Sequence, residues 1–375
     1  MTERTSAPAA ELAAAFRLEG RPAGCDPLKR GHIHDTFVLR CESGGATARY
    51  VLQRVNTAVF RDAEGVMENL LRVTEHQRRR LEREGAAEPE RRVLRVLRAR
   101  DGRPWHVDAA GRFWRGFPFI ERTVSHERPA SAAQALEAAR AFGRFGAALR
   151  DLPPPPLRTT IPGFHDLAGR RRALAGAAAK DAAGRAAGLG REIEAAERAA
   201  ERIAEAVDEG ALPARVVHND CKLNNLLFDA DRDEALCVID LDTVMEGALL
   251  HDFGELVRTA TNARPEDEPD PDTVRPDLEL HGVLARGYLE GSAGLATAAE
   301  IASLATAGAR MALENSIRFL TDYLEGDVYF RIHRPSHNLD RHRSQLRLAE
   351  LLFDARAETE RQVRAAAERA GLASG

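Results

Sequence analysis

VVHNDCKLNNLLFDADRDEALCVIDLD, residues Val216 to Asp242, is the stretch on which the rest of the chain turns. Three short apolar runs lie in it or at its start, RVV from the preceding Arg215, NLLF from Asn225 and ALCVID from Ala235, each bounded by polar turns as strands are. Its polar residues fall between and at the ends of those runs. His218 closes the first, Asp220 follows two residues later, Asn225 comes five after that, and Asp240 ends the third run fifteen residues further on. A turn residue taken singly only satisfies local backbone, which Asn and Asp do constantly. Four polar residues at these intervals on strand ends ask for a chemical reason instead.

Outward from this stretch the chain divides in texture. HDTFVLR (His34 to Arg40) and YVLQRV (Tyr50 to Val55), with Ser43, Gly44 and Gly45 between them, predict a hairpin. Met67, Leu70, Leu71 and Thr74 fall on a helical period, and Arg78, Arg79 and Arg80 are the solvated end of that helix. Val93 to Ile120 predicts two or three more strands. From Glu121 alanine-rich helices take over. Ala132 to Leu149 is the clearest and stops at Pro153 to Pro156. Arg170 to Val207 is helical by propensity and poor in large apolar residues, which places it on the outside with no part in chemistry. Pro265 to Asp272 predicts a solvated acidic loop, and helices resume at Leu278. The division is therefore residues 1–120, a small sheet with one helix, and residues 121–375, mainly helical.

The chain has 375 residues, 44% hydrophobic and 30% charged, with 54 Lys and Arg against 58 Asp and Glu. A net charge of −4 gives no general attraction to nucleic acid or an anionic membrane. No apolar run approaches the roughly 18 residues of a membrane span, and Glu3, Arg4 and Glu11 interrupt any secretory leader, so a cytoplasmic protein is expected. Cys25, Cys41, Cys221 and Cys237 form no CxxC pair and read as reduced thiols.

Phosphoryl transfer needs a carboxylate to orient the attacking hydroxyl and take its proton, and oxygen ligands to hold Mg²⁺ against the phosphates. Asp220 suits the first role, and Asn225 with Asp240 the second. Lys222 can place a cation on the transferring group. Asp252-Phe253-Gly254 spells the metal-binding tripeptide of protein kinases but lies too far downstream. With Glu255 it reads as a helix start, Asp252 being the N-cap.

The intervals match the catalytic loop of kinases, and the chain resembles the aminoglycoside-phosphotransferase-like kinase superfamily from about Leu18 to Leu352. HxDxxxxN and IDxD are common to that superfamily. LQRVN (Leu52 to Asn56), IDLDTVM (Ile239 to Met245) and FLTDYLEGDVYF (Phe319 to Phe330) are similar to its N-acetylhexosamine 1-kinase subgroup. The resemblance implies an α+β, two-lobed protein-kinase-like fold with a mainly antiparallel-sheet N-lobe and a larger helical C-lobe. It also implies ATP and Mg²⁺ as cofactors and a small sugar as acceptor. No nucleic acid or membrane partner is implied, and a monomer is expected. GHIHDT becomes the turn covering the phosphates, with Gly31, His34, Asp35 and Thr36 toward the nucleotide. The usual β-strand lysine that holds the phosphates is missing, since the strand reads Leu52-Gln53-Arg54. Alternation lets only one of Gln53 and Arg54 face ATP, with Glu68 as candidate acidic partner.

The acceptor candidates are Arg318, Asp322, Tyr329, His333 and His337, set among apolar residues. The resemblance selects Arg318 and Tyr329, joined by Asp220 and by His32 and Asp35 of the N-terminal turn. The plain alternative is a salt-bridge ladder, because Glu314, Arg318 and Asp322 repeat at four-residue intervals. Other readings are a kinase for an aminoglycoside, choline or homoserine, a protein kinase lacking its APE segment, and a nucleotide sensor without catalysis. A sulfatase reading rests on Cys25-Asp26-Pro27-Leu28-Lys29, where lysine replaces the required arginine.

Overall fold

The computed structural model describes residues 9–28 and 33–372, in the element order α1 (Ala9–Ala15), β1 (Arg21–Pro27), β2 (Asp35–Ser43), β3 (Ala46–Arg54), α2 (Ala63–Arg83), α3 (Pro89–Arg92), β4 (His106–Val107) and β5 (Phe113–Pro118). The five strands form one antiparallel sheet in the order β1-β2-β3-β5-β4. The expected hairpin is β2 and β3, turned by Gly44 and Gly45 at φ +57° and +86°. Its alternation gives the sheet two faces. Leu39, Tyr50, Leu52 and Trp114 pack outward with Leu12 of α1 and with Phe16 just after it. Val51, Phe113 and Phe117 pack inward with Val66, Met67 and Leu70 of α2. Of the stretch after Val93, only β4 and β5 are strands. β1 was unforeseen because Pro22 and Pro27 argue against a strand, and it is tolerated at the sheet edge, where a missing N–H breaks no ladder.

The chain continues through β6 (Thr123–Val124), α4 (Ala132–Ala148), α5 (Leu167–Lys180), α6 (Gly190–Ala204), β7 (Arg215–Val217), β8 (Leu226–Asp229), β9 (Ala235–Val238) and β10 (Met245–Gly247). It then runs helically through α7 (Leu249–Thr261), α8 (Leu278–Gly291), α9 (Ala298–Glu325), α10 (His337–Asp354) and α11 (Arg356–Arg369). α4 begins at Ser131, whose side chain accepts the Gln134 N–H. The 28-residue α9 is the central helix, opened by a reciprocal Thr297–Glu300 capping box and closed by Gly326 at φ +97°. α7 crosses it so closely that a Cβ on Gly254 would lie 2.4 Å from the Ala307 carbonyl. The alanine-rich α5 and α6 give Leu174, Ala196, Ala200 and Ile203 to the same core, so they are not merely an outer cover. A separate apolar cluster joins the two halves, with Val55, Phe113 and Phe117 against Phe145, Leu157, Leu241 and Val244. No helix among the described residues is long and apolar enough to cross a membrane.

The expected acidic loop is present and exposes Asp270 and Asp272, but two of its carboxylates are paired with protein. Glu266 pairs with Arg258 at 2.7 Å, and Asp267 with Arg334 at 2.8 Å and His337 at 3.0 Å.

The packing carries a pH signature. Burial pulls the imidazoles of His251, His281 and His342 each down to about 4, below the roughly 6.5 of an exposed ring. As pH falls from 6.5 to 4 the unfolded chain takes up protons that the folded chain refuses, so stability present above pH 6.5 is lost through that window. At full slope each ring contributes ~1.4 kcal/mol per pH unit, about 4 for three. Calorimetric melting temperatures are expected to fall steeply between pH 6.5 and 4.5, and a flat profile there would contradict the burial.

Candidate active site

β7 ends in His218, and the loop behind it is braced from below. Asn219 adopts φ +63°, a left-handed conformation that asparagine tolerates better than most residues. The Asp252 carboxylate accepts the N–H groups of His218 and Asn219 at 3.0 and 2.6 Å, and Asn219 Nδ2 donates to the Thr243 carbonyl. This corrects the N-cap expectation. α7 starts after Ala248, and Asp252 lies one turn in, fully buried, where loop amides claim its oxygens. His218 Nδ1 accepts the Asp220 N–H, which leaves the ring proton on Nε2 to donate to the Ile239 carbonyl at 2.9 Å. One imidazole thus ties the Asp220 loop to the strand end that carries Asp240.

Asp220 Oδ2 receives Asn225 Nδ2 and Lys222 Nζ, each at 3.0 Å. Burial works against its charge, but Lys222, His218 and Asn225 together outweigh it and hold the carboxyl below the ordinary range. The mirror effect acts on Lys222, where burial is overcome chiefly by Asp220 and the ammonium is raised. Asp220 is therefore a carboxylate at neutral pH, and its other oxygen, Oδ1, accepts no hydrogen bond among the described residues. Asn225 likewise spends only its amide N–H₂, leaving Oδ1 to a ligand.

Asp240 opens the turn after β9 at φ +60°. Although the residue itself is exposed, its carboxyl is raised, first by loss of water on its protein-facing side and then by the neighbouring Asp242 and Asp220, and no donor among the described residues bonds to it. A carboxylate crowded by like charges with no donor of its own is what a cation relieves. His34, Asp240 and Asp242 present ligand atoms within 4.8 Å of one another. Two of these are already committed. His34 Nδ1 accepts the Asn56 N–H at 3.1 Å and Nε2 meets Asp242 at 2.5 Å. Asp242 is further gripped by both terminal nitrogens of Arg115. Asp240 and the Asn225 oxygen remain, a hard-oxygen set that fits Mg²⁺.

The sheet resolves the Gln53–Arg54 alternative. Arg54 pairs with Asp35 across β2, which removes both from the cleft interior. Gln53 shares the inner face with Thr36, whose Oγ1 accepts its amide at 3.2 Å, and with Arg115, whose Nε donates to Gln53 Oε1 at 2.9 Å. Glu68 is not its partner. It pairs with Arg158, while the adjacent Asn69 bonds the Val244 and Arg158 carbonyls. Gly31 and His32 lie outside the described residues.

The C-terminal candidates separate by role. The expected ladder does not form. Glu314 binds His165 at 3.0 Å and Arg310 at 2.7 Å, and Asp322 receives the N–H groups of Val328, Tyr329 and Phe330. Asp322 thereby folds the loop that carries Tyr329. His337 Nδ1 accepts the His333 N–H and has a fastening role of the same kind. Arg318 is left with Asn315 Oδ1 at 3.3 Å as its one hydrogen-bond partner among the described residues, and with the rings of Phe164, Phe330 and Tyr329 at 5.5, 5.3 and 5.9 Å. Phe164 sets this group beside the catalytic loop, because the next residue, His165, bonds the Asn219 carbonyl at 3.0 Å. Arg170, in a helix expected to carry no chemistry, faces the same place. Its Nη2 donates to the Phe164 carbonyl, and burial followed by the charge of Arg318 lowers its pKa.

Solved structures with this fold include a microcompartment-associated aminopropanol kinase, 18% identical, TM-score 0.54, over 98% of this chain and 99% of that one. An ethanolamine kinase from Plasmodium vivax is 11% identical, TM-score 0.56, over 86% and 82%. A spectinomycin phosphotransferase, solved with ADP and spectinomycin, is 11% identical, TM-score 0.54, over 93% and 97%. The profile of the phosphotransferase enzyme family matches residues 25–284, which include β7, the braced Asp220 loop and the Asp240 turn, and the chain accordingly belongs to that family.

Proposed function

We propose that this protein is an ATP- and Mg²⁺-dependent kinase that phosphorylates the anomeric hydroxyl of an N-acetylhexosamine such as N-acetylglucosamine or N-acetylgalactosamine. The observation that carries the choice of acceptor is the half-buried, nearly uncommitted Arg318 guanidinium among three aromatic rings, one of which adjoins His165 and through it the backbone of Asn219 next to Asp220. Ring faces cover the C–H surface of a sugar, and a guanidinium donates to carbonyl and hydroxyl oxygens. The neighbours named above act on aminopropanol, ethanolamine and spectinomycin. An amine acceptor wants a free carboxylate or an open aromatic box. Here two guanidinium groups, Arg318 and Arg170, occupy the aromatic cluster, and Glu314, Glu266 and Asp267 are each paired to an arginine or histidine.

In this reading Asp220 Oδ1 takes the hydrogen bond of the acceptor hydroxyl, aligns it for attack and receives its proton, and Lys222 keeps that carboxylate ionised until then. Asn225 Oδ1 and Asp240 would hold Mg²⁺, which supplies charge neutralisation on the phosphates when bound. Tyr329 and Arg318 orient the sugar.

The test is Mg²⁺-dependent ATP consumption across N-acetylglucosamine, N-acetylgalactosamine, glucose, galactose, choline, homoserine and kanamycin. Turnover on an N-acetylhexosamine is expected, and turnover confined to an amine would discard the acceptor assignment. Arg318→Ala should raise KM for the sugar by about 10- to 100-fold, the worth of a charged hydrogen bond, with KM for ATP unchanged. An unchanged sugar KM would remove Arg318 from the site.

A further inference from the structure

In protein kinases a β3 lysine pairs with a glutamate of the adjacent helix, and that pair sets the nucleotide site. Neither partner is in place here, since β3 offers Gln53 and the helix glutamate Glu68 is spent on Arg158. A cation nevertheless stands directly across from Gln53, one strand away. Arg115 is its cross-strand partner in the β3–β5 ladder. It donates Nε to Gln53 and both terminal nitrogens to Asp242, the shorter contact through Nη1 and the other at 2.8 Å.

Both side chains of this pair are 2% exposed. A buried ion pair is poor evidence of a gain in stability, because apolar residues of similar volume often do as well. Its position is more telling. It joins the sheet to the turn between β9 and β10, two residues from Asp240. His34 adds a second bond from the N-terminal half to the same carboxylate. Leu241, between the two aspartates, is packed into the cluster that joins the two halves. The turn that presents Asp240 in a left-handed conformation is thus held from the sheet side by Arg115, Gln53 and His34 together.

We propose that Arg115 is the positioning residue of the metal–nucleotide site: by clamping Asp242 it aims the Asp240 carboxylate, replacing the lysine–glutamate pair with one that links the sheet directly to the metal-bearing turn. Assembly of the site then depends on apposition of the two lobes and not on the placement of α2. This rests on the kinase reading but not on which sugar is the acceptor.

The test is a titration of the whole protein with Mn²⁺, followed by electron paramagnetic resonance in the presence of a non-hydrolysable ATP analogue and without sugar. Arg115→Lys keeps the charge but loses the two-pronged grip. It is expected to raise the Mn²⁺ dissociation constant by at least tenfold, with the melting temperature held to within a few degrees. Asp242→Asn should raise that constant likewise, with a larger fall in melting temperature because Arg115 is left buried without its carboxylate, and in the double variant the loss of metal affinity should be no more than in either alone, because the two act as one unit. Wild-type Mn²⁺ affinity in Arg115→Lys, or additive losses in the double variant, would overturn the proposal. A wild-type protein that binds no metal with the analogue would overturn the kinase reading with it. Failure of every sugar would leave this measurement standing.

Discussion

Asp220→Ala is expected to lower turnover by about 10³-fold while leaving the dissociation constant for ATP within about twofold of the wild-type value. Positioned acid–base groups contribute 10²–10⁴-fold, and the proposed function gives Asp220 the task of receiving the acceptor proton. One of its oxygens is fixed by Lys222 and Asn225, and the other receives no donor among the described residues. The backbone bonds that shape the loop survive the change, because His218 and Asn219 remain anchored on Asp252. Removing the carboxylate strips Lys222 of its closest partner, so an added loss through that cation is anticipated. Asp220→Asn separates the two effects, since the amide keeps the volume and loses the base. Steady-state kinetics with equilibrium nucleotide binding checks the prediction, and near-normal turnover in Asp220→Ala would refute the role.

Asp240→Asn is expected to raise the Mg²⁺ concentration for half-maximal activity by about 100-fold, and to raise the melting temperature of the metal-free protein. The two signs have one cause. Asp240 is crowded by Asp242 and Asp220 and receives no hydrogen bond from any described residue, so its charge is a liability until a cation arrives. Neutralising it relieves the folded state and removes a principal metal ligand together. Melting curves with and without Mg²⁺ test this directly. The wild-type should gain markedly from the ion and the variant little, whereas equal gains would place the metal elsewhere.

The grouping of the candidate loop was legible because His218, Asp220, Asn225 and Asp240 sit at fixed intervals on strand ends, and the fold brings them together through His218 and Asn225. Asp252 was misread because Asp-x-x-Glu is a sound local rule for a helix start. It lost to a demand from far along the chain, the two amides of a loop more than thirty residues earlier. Arg115 was invisible for a related reason. Within Phe113-Trp-Arg-Gly-Phe117 an arginine reads as the solvent-facing member of a strand, and only Asp242, 127 residues later, makes it a buried one. Arg170 sits in an alanine-rich helix with no motif around it, and its relation to Arg318 exists only in the fold. The hairpin and α2 were readable from periodicity, whereas β1, with two prolines, contradicts strand propensity and is permitted by its place at the edge.

The most direct test of the central claim is the identity of the product formed from MgATP and N-acetylglucosamine or N-acetylgalactosamine, followed by phosphorus NMR with a parallel assay of reducing ends. The account predicts a phosphate coupled to the anomeric proton and a reducing end lost for each ATP consumed. Phosphate on any other hydroxyl with the reducing end intact, or consumption of ATP only with an amine acceptor, would contradict it.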